Sequence, residues 1–221
     1  MNTETRRRGK LYSIGEEIFS SVTHGIGALL GIAALVLMVV FAARAHNVYG
    51  VVSGAVYGAT MIILFTMSTL YHAIQLPGAK KVFRIMDHCS IYLLIAGTYT
   101  PLSLCPLRRD GGWVMFGIVW GITILGIVLN SVNLEKFKLI SLVSYVVLGW
   151  AVVAMWGTLK ANLAPAGIWL LLAGGIVYMV GVVFYCLKKV AYMHSIWHIF
   201  VLGGSILHFF CILLYVMPVK A

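Results

Sequence analysis

Seven stretches of this chain contain no Asp, Glu, Lys or Arg, at 18–43, 45–79, 88–107, 111–134, 139–159, 161–187 and 190–219. A bilayer core needs about 20 consecutive apolar residues for one helical crossing. Each stretch is long enough to span once. The second runs for 35 residues, but it ends in Gln75-Leu76-Pro77-Gly78, so its helix closes near Ala73. Backbone groups in lipid must be satisfied within the segment, and the runs lack the two-residue alternation of barrel strands, so the spans are helices.

Composition agrees. Hydrophobic residues make up 62% and charged residues 10% of the 221-residue chain, against about 45–50% and about 25% in soluble domains. The formal charge of +10 does not indicate nucleic acid, because the basic residues sit in short clusters between apolar runs and form no continuous face. Their distribution orients the chain instead. One side collects Arg6, Arg7, Arg8, Lys10, Lys80, Lys81, Arg84, Lys136, Lys138, Lys188 and Lys189; the other collects only Arg44, Arg108, Arg109, Lys160 and Lys220. The positive-inside rule then places the amino terminus in the cytoplasm and the carboxyl terminus outside.

The expected architecture is an all-α, polytopic seven-helix membrane bundle. A basic cytoplasmic tail occupies 1–17 and a membrane domain 18–219, with spans near 18–43, 48–73, 87–107, 112–132, 139–159, 165–187 and 194–217. The apolar run after the basic leader is longer than a signal-peptide core, so it reads as a retained first helix. Gly27-x3-Gly31, Gly50-x3-Gly54-x3-Gly58 and Gly117-x3-Gly121 read as close helix packing. The four cysteines form no CxxC pair and read as small hydrophobes.

Ionisable residues at membrane depth are costly unless paired or hydrated, so they mark function. The topology gathers His72 at the end of the second span, Asp87 at the start of the third, and His194 and His198 at the start of the seventh, all near the cytoplasmic face. His24, Glu16 and Glu17 begin the first span at the same level. His208, deeper in the last span, reads as a hydrogen-bonded core histidine. His194-x3-His198 puts two imidazoles on one helix face a turn apart, and Ser68-x3-His72 pairs a hydroxyl with the third. Three imidazoles with an open position form the catalytic zinc pattern, with Asp87 as a base or orienting group beside it.

Other chemistries fit less well. A hydrogen-bonded histidine pair at an interface explains His194 and His198 but not the convergence of His72 and Asp87. A Ser68–His72–Asp87 triad is conceivable, yet leaves the His194/His198 pair unexplained. No lysine lies within a span to carry a retinal Schiff base, and there is neither an HExxH nor a GxSxG motif. Absence of charge midway through the spans disfavours a channel or transporter.

Four stretches carry a family resemblance: Glu16-Glu17-Ile-Phe-Ser-Ser-Val-Thr-His24-Gly, Ser68-Thr-Leu-Tyr-His72, Asp87-His-Cys-Ser-Ile-Tyr-Leu-Leu-Ile-Ala-Gly-Thr-Tyr-Thr-Pro101 and His194-Ser-Ile-Trp-His198-Ile-Phe-Val. In order and spacing this set resembles the bacterial hemolysin III proteins, the prokaryotic branch of the progestin and adipoQ receptor (PAQR) family, distantly related to alkaline ceramidases. The resemblance implies Zn²⁺ on His72, His194 and His198, with Asp87 and Ser68 beside it, and a membrane lipid as substrate or ligand. Two functions follow from it. One is a zinc-dependent hydrolase of a lipid amide or ester; the other is a non-enzymatic membrane-homeostasis or lipid-sensing protein with structural zinc. A secreted pore-former does not fit the uniformly apolar spans. The cytoplasmic lysines and Arg84 would attract anionic headgroups, although the topology rule alone accounts for them.

Overall fold

The computed structural model describes residues 12–187 and 189–219. Arg6, Arg7, Arg8, Lys10, Lys188 and Lys220, used above for orientation, lie outside the described residues. Among the described residues all regular structure is helical: α1 (Ile14–Arg44), α2 (Val48–Ala73), α3 (Pro77–Leu104), α4 (Trp113–Gly149), α5 (Trp156–Asn162), α6 (Pro165–Cys186) and α7 (Met193–Tyr215). Five segments among them are long and apolar enough to cross a membrane: Ile14–Arg44, Val48–Ala73, Arg108–Asn162, Pro165–Cys186 and Met193–Tyr215. The chain is a polytopic membrane protein.

Helix α3 falls outside that set because of where it sits. Its amino-terminal turns carry Lys80, Lys81 and Arg84, and from Asp87 onward it is buried almost continuously through Leu104. A helix wrapped by other helices meets protein rather than lipid, so it tolerates Asp87, Ser90, Thr98 and Thr100 where a lipid-facing helix would not. Asp87 therefore lies ten residues inside a helix that starts at Pro77, not at a helix end.

Helix α1 starts one turn earlier than the charge-free run, through a capping box: Glu16 N–H donates to Ser13 Oγ at 3.3 Å and Ser13 N–H to Glu16 Oε2 at 2.8 Å. At the other end of the bundle, Asn47 caps α2 by accepting from Gly50 N–H at 2.7 Å. Its amide nitrogen donates to the Val216 and Met217 carbonyls at 3.5 and 3.4 Å, tying the α1–α2 turn to the end of α7.

Glycines let α1 and α2 approach. A Cβ on Gly27 would lie 2.7 Å from the Phe65 ring, and one on Gly58 would lie 2.7 Å from the Leu35 Cα. The packing expectation fails at Gly117 and Gly121, where nothing among the described residues lies within 4 Å of an added Cβ. Both glycines are exposed on the outside of α4, so their spacing serves no contact within the bundle.

Helix α4 is not straight. Its backbone leaves helical geometry at Asn133 (φ −159°, ψ 91°), where the side chain accepts from Lys136 N–H at 3.0 Å and restarts the helix. Ser141 Oγ donates to Asn130 Oδ1 at 2.6 Å and Asn130 Nδ2 donates to Tyr145 Oη at 3.3 Å. Residues eleven apart on a straight helix would stand roughly 16 Å from each other. The two halves of α4 therefore double back side by side. A second break follows at Trp150, and the Tyr99 hydroxyl repairs it, donating to the Gly149 carbonyl at 3.2 Å and accepting from Val152 N–H at 2.8 Å.

Candidate metal centre

Helix α7 enters the bundle through Tyr192, whose backbone is left-handed (φ 65°). The Glu16 carboxylate accepts the Tyr192 N–H at 2.8 Å, and a buried Ser20–Ser195 hydroxyl pair at 3.1 Å joins the first turns of α1 and α7. This clasp sets the depth of the first turns of α7, and with it His194 and His198. His72 arrives from the last turn of α2. The three rings converge, with centroids 4.8 Å apart for His72–His198, 4.8 Å for His194–His198 and 5.3 Å for His72–His194.

One nitrogen from each of these three histidines lies within 4.8 Å of the others, so the group is able to hold a metal ion. Two further observations fit the donor set. His72 Nε2 is buried with no hydrogen-bond partner among the described residues, and His194 Nε2 and His198 Nε2 face each other at 3.1 Å. Nitrogens crowded at that distance with a third orphaned beside them suit a shared cation.

The surrounding groups fix the rings. His72 Nδ1 lies 2.7 Å from Glu17 Oε2, and Glu17 Oε1 lies 2.8 Å from Lys80 Nζ. A carboxylate on the second nitrogen of a ligating histidine sets its tautomer and leaves Nε2 to face the metal. His24 stacks on His198 with centroids 3.8 Å apart, and its Nε2 contacts the His198 carbonyl at 3.3 Å. It stands outside the three-histidine group. Tyr12 stacks on His194 at 4.5 Å and covers the cluster from the chain's amino-terminal side.

The remaining sequence-derived residues lie next to this cluster without joining it. Ser68 and Asp87 are buried and interact side chain to side chain, although Ser68 Oγ makes no well-aligned hydrogen bond among the described residues. Both line a cavity of about 130 Å³ that also touches His194 and His198 and runs between α3, the second half of α4, α6 and α7. Its walls are largely aliphatic and aromatic, including Ile91, Leu94, Val182 and Trp197. His208 lines its far end; the expected core hydrogen bond is present on Nε2, while Nδ1 has none among the described residues.

Sequence reasoning placed Glu17 at this depth without a role, expected Lys80 near headgroups and not on Glu17, and missed Tyr12. The signal for Glu17 was available. Ser13-x-x-Glu16 is a capping-box pattern, which commits Glu16 to the helix end and leaves its neighbour, about 100° around the helix, to face the bundle. The basic residues expected near headgroups are partly engaged: Lys80 with Glu17 and the Tyr71 carbonyl, and Arg84 with Glu135 at 2.5 Å.

Comparison with known proteins places the chain in a family. The family described as Haemolysin-III related matches residues 12–209. The chain is 44% identical to Hemolysin-3 of Bacillus cereus over 93% of its length and 94% of the relative's. It is also 44% identical to a Hemolysin-3 homolog of Bacillus subtilis, over 95% and 98%. A more distant likeness, 27% over 71% of the chain and 67% of the relative, links it to the human Monocyte to macrophage differentiation factor. No solved structure matches the chain. With nearly the whole sequence matched, and all three convergent histidines inside the matched region, the chain belongs to the haemolysin-III family.

Proposed function

We propose that this is a seven-pass protein of the bacterial inner membrane that holds zinc on His72, His194 and His198 near the cytoplasmic face and hydrolyses a lipid amide or ester. The observation that carries the reading is one largely apolar cavity that reaches two of the three convergent imidazoles, His194 and His198, and a buried carboxylate, Asp87. An acyl chain lying in that cavity has its carbonyl at the histidines. The fold-back of α4 at Asn133 supports the count of seven, since α1, α2, α3, the two halves of α4, α6 and α7 each make one pass. The basic loop residues support a cytoplasmic amino terminus.

Zinc held there supplies a Lewis acid for the carbonyl and lowers the pKa of a water. The chain's own groups do the rest. Asp87 accepts the proton of the attacking water and passes it to the departing amine or alkoxide. Ser68 Oγ, buried beside Asp87, donates to the oxyanion as it develops. Glu17 holds the His72 ring, and the apolar walls exclude bulk water from the carbonyl.

The test is lipid turnover by the protein in nanodiscs, using N-acyl and O-acyl lipids, with zinc content measured on the same samples. Wild type should release fatty acid; Asp87→Ala should keep zinc and lose turnover. Release that is absent from the zinc-loaded wild type, or undiminished in Asp87→Ala, overturns the hydrolase assignment. Loss of zinc together with Asp87 makes the carboxylate a support of the metal and removes it as the base.

A further inference from the structure

The three imidazoles form a triangle, and its sides meet different surroundings. His194 and His198 face the cavity. His24 stacks on His198, with centroids 3.8 Å apart, and backs the cluster from α1. The widest side, between His72 and His194 at 5.3 Å, lies under Tyr12. The Tyr12 ring stacks on His194 at 4.5 Å with an interplanar angle of 21°, and tilts against His72 at 5.7 Å. It bridges α2 and α7 across the gap between those two histidines. Its phenol lies near Tyr71, Asp87, Arg84 and Tyr185, so the ring also stands over the end of the bundle where α2, α3 and α6 meet.

The backbone beside Tyr12 is fixed. Tyr12 precedes the Ser13 N-cap and lies outside the helix. One carboxylate, Glu16, accepts the N–H groups of Ser13 and Tyr192, each at 2.8 Å. Gly15 lets the Tyr192 side chain pack against the same turn, since a Cβ there would lie 2.5 Å from Tyr192 Oη. The first turn of α1 is thereby seated on the start of α7. The Tyr12 ring is held over the histidines by aromatic contact, and rotation about its side-chain bonds breaks that contact without disturbing the helix.

An ion bound at the triangle needs a route. The cavity offers largely aliphatic and aromatic walls, and a divalent cation stripped of water among such groups is costly. The side under Tyr12 lies at the charged end of the bundle, beside Lys80 and Arg84, where an ion keeps its hydration. We propose that Tyr12 is a lid on the metal centre: it swings off His72 and His194 to pass the ion, and so sets how fast metal exchanges, while the three imidazoles set how tightly it is held. The inference rests on the reading of those histidines as zinc ligands and adds the route by which the ion arrives and leaves.

The experiment measures zinc release and uptake by stopped flow on the full-length protein in nanodiscs. Release is read by mixing zinc-loaded protein with excess chromophoric chelator, and uptake by mixing metal-free protein with Zn²⁺ and a fluorescent zinc indicator. Tyr12→Ala should speed both by the same factor, roughly three- to tenfold, which is what one aromatic pair corresponds to. The dissociation constant should stay within about twofold, because a lid that closes over empty and loaded centres alike shifts no equilibrium. Tyr12→Phe keeps the covering ring and should keep wild-type rates. Tyr12→Leu, a smaller cover, should fall between Phe and Ala.

Faster release with unchanged uptake, and hence weaker binding, overturns the lid and makes Tyr12 a support of the His194 ring; the metal reading survives. Unchanged rates in Tyr12→Ala overturn it as well, and so does a Tyr12→Phe that behaves like Tyr12→Ala. If Tyr12→Ala does not fold, Tyr12→Leu decides, since wild-type rates in that variant contradict a lid. Failure of wild type to bind zinc overturns the metal reading itself, and this inference falls with it.

Discussion

Glu17 Oε2 and His72 Nδ1 lie 2.7 Å apart across 55 positions of sequence, with Lys80 Nζ on the other carboxylate oxygen at 2.8 Å. The carboxylate is buried, so burying it is offset by these two partners. Its effect on a metal at Nε2 is indirect, through the ring's orientation and basicity. Removing such an outer carboxylate typically costs about 10–100-fold in metal affinity. Glu17→Ala should lose affinity in that range, read by competition with a chromophoric chelator. Glu17→Gln should lose less, because its amide oxygen still accepts from Nδ1–H. Unchanged affinity in Glu17→Ala would mean that packing alone orients His72.

His24 and His198 separate stacking from ligation. His24 lies against the His198 ring but outside the convergent set. His24→Ala should therefore retain most of the bound metal, whereas His198→Ala and His194→Ala should lose it. Chelation gives a matching thermal signature. An ion present at a hundredfold excess over its Kd stabilises the fold by about 2.7 kcal/mol, so stripping it should lower the melting temperature of wild type and leave His198→Ala unmoved. Equal metal content in His24→Ala and His198→Ala would contradict the assignment.

The parts of this centre that were legible in sequence and the parts that were not differ in physical origin. His194 and His198 were readable because a four-residue spacing fixes a shared helix face without knowledge of any partner. His72 and Asp87 were readable by depth, which span order alone supplies. Glu17 was not assigned, because depth is shared by every residue of one helical turn and only the rotation of α1 against α2 selects which of them meets His72. That rotation is set by packing, at Gly27 on Phe65 and Gly58 on Leu35; the capping box turns Glu17 toward the bundle but does not name its partner. The same limit explains His208. Its helix and depth were clear, but that one nitrogen would be bonded and the other unpartnered depends on the Leu171 carbonyl of α6.

The glycines make a paired prediction about that packing. Gly58→Ala puts a Cβ 2.5 Å from the Leu35 Cβ and 2.7 Å from its Cα, which no rotamer change relieves. Overpacking of this kind costs about 1–3 kcal/mol. Gly121→Ala meets nothing within 4 Å among the described residues; it should be neutral or slightly stabilising, through the higher helix propensity of alanine. Thermal unfolding in detergent checks both. A destabilised Gly121→Ala would show that this outer face of α4 is covered in the assembled protein.

The doubling back of α4 is testable without a structure. Asn130 and Ser141 sit eleven positions apart, yet their side chains bond at 2.6 Å in a buried setting. Asn130→Ala also removes the donor to Tyr145 Oη, so each single substitution strands a buried partner, at about 1–3 kcal/mol. The double mutant loses the shared bond only once. A thermodynamic cycle over Asn130→Ala and Ser141→Ala should therefore give a coupling energy of about 0.5–3 kcal/mol, the range for residues in one network. Were α4 a single straight rod, the two sites would be roughly 16 Å apart and their effects would add. Additivity within about 0.5 kcal/mol would therefore remove the turn at Asn133, and with it one of the seven passes proposed above.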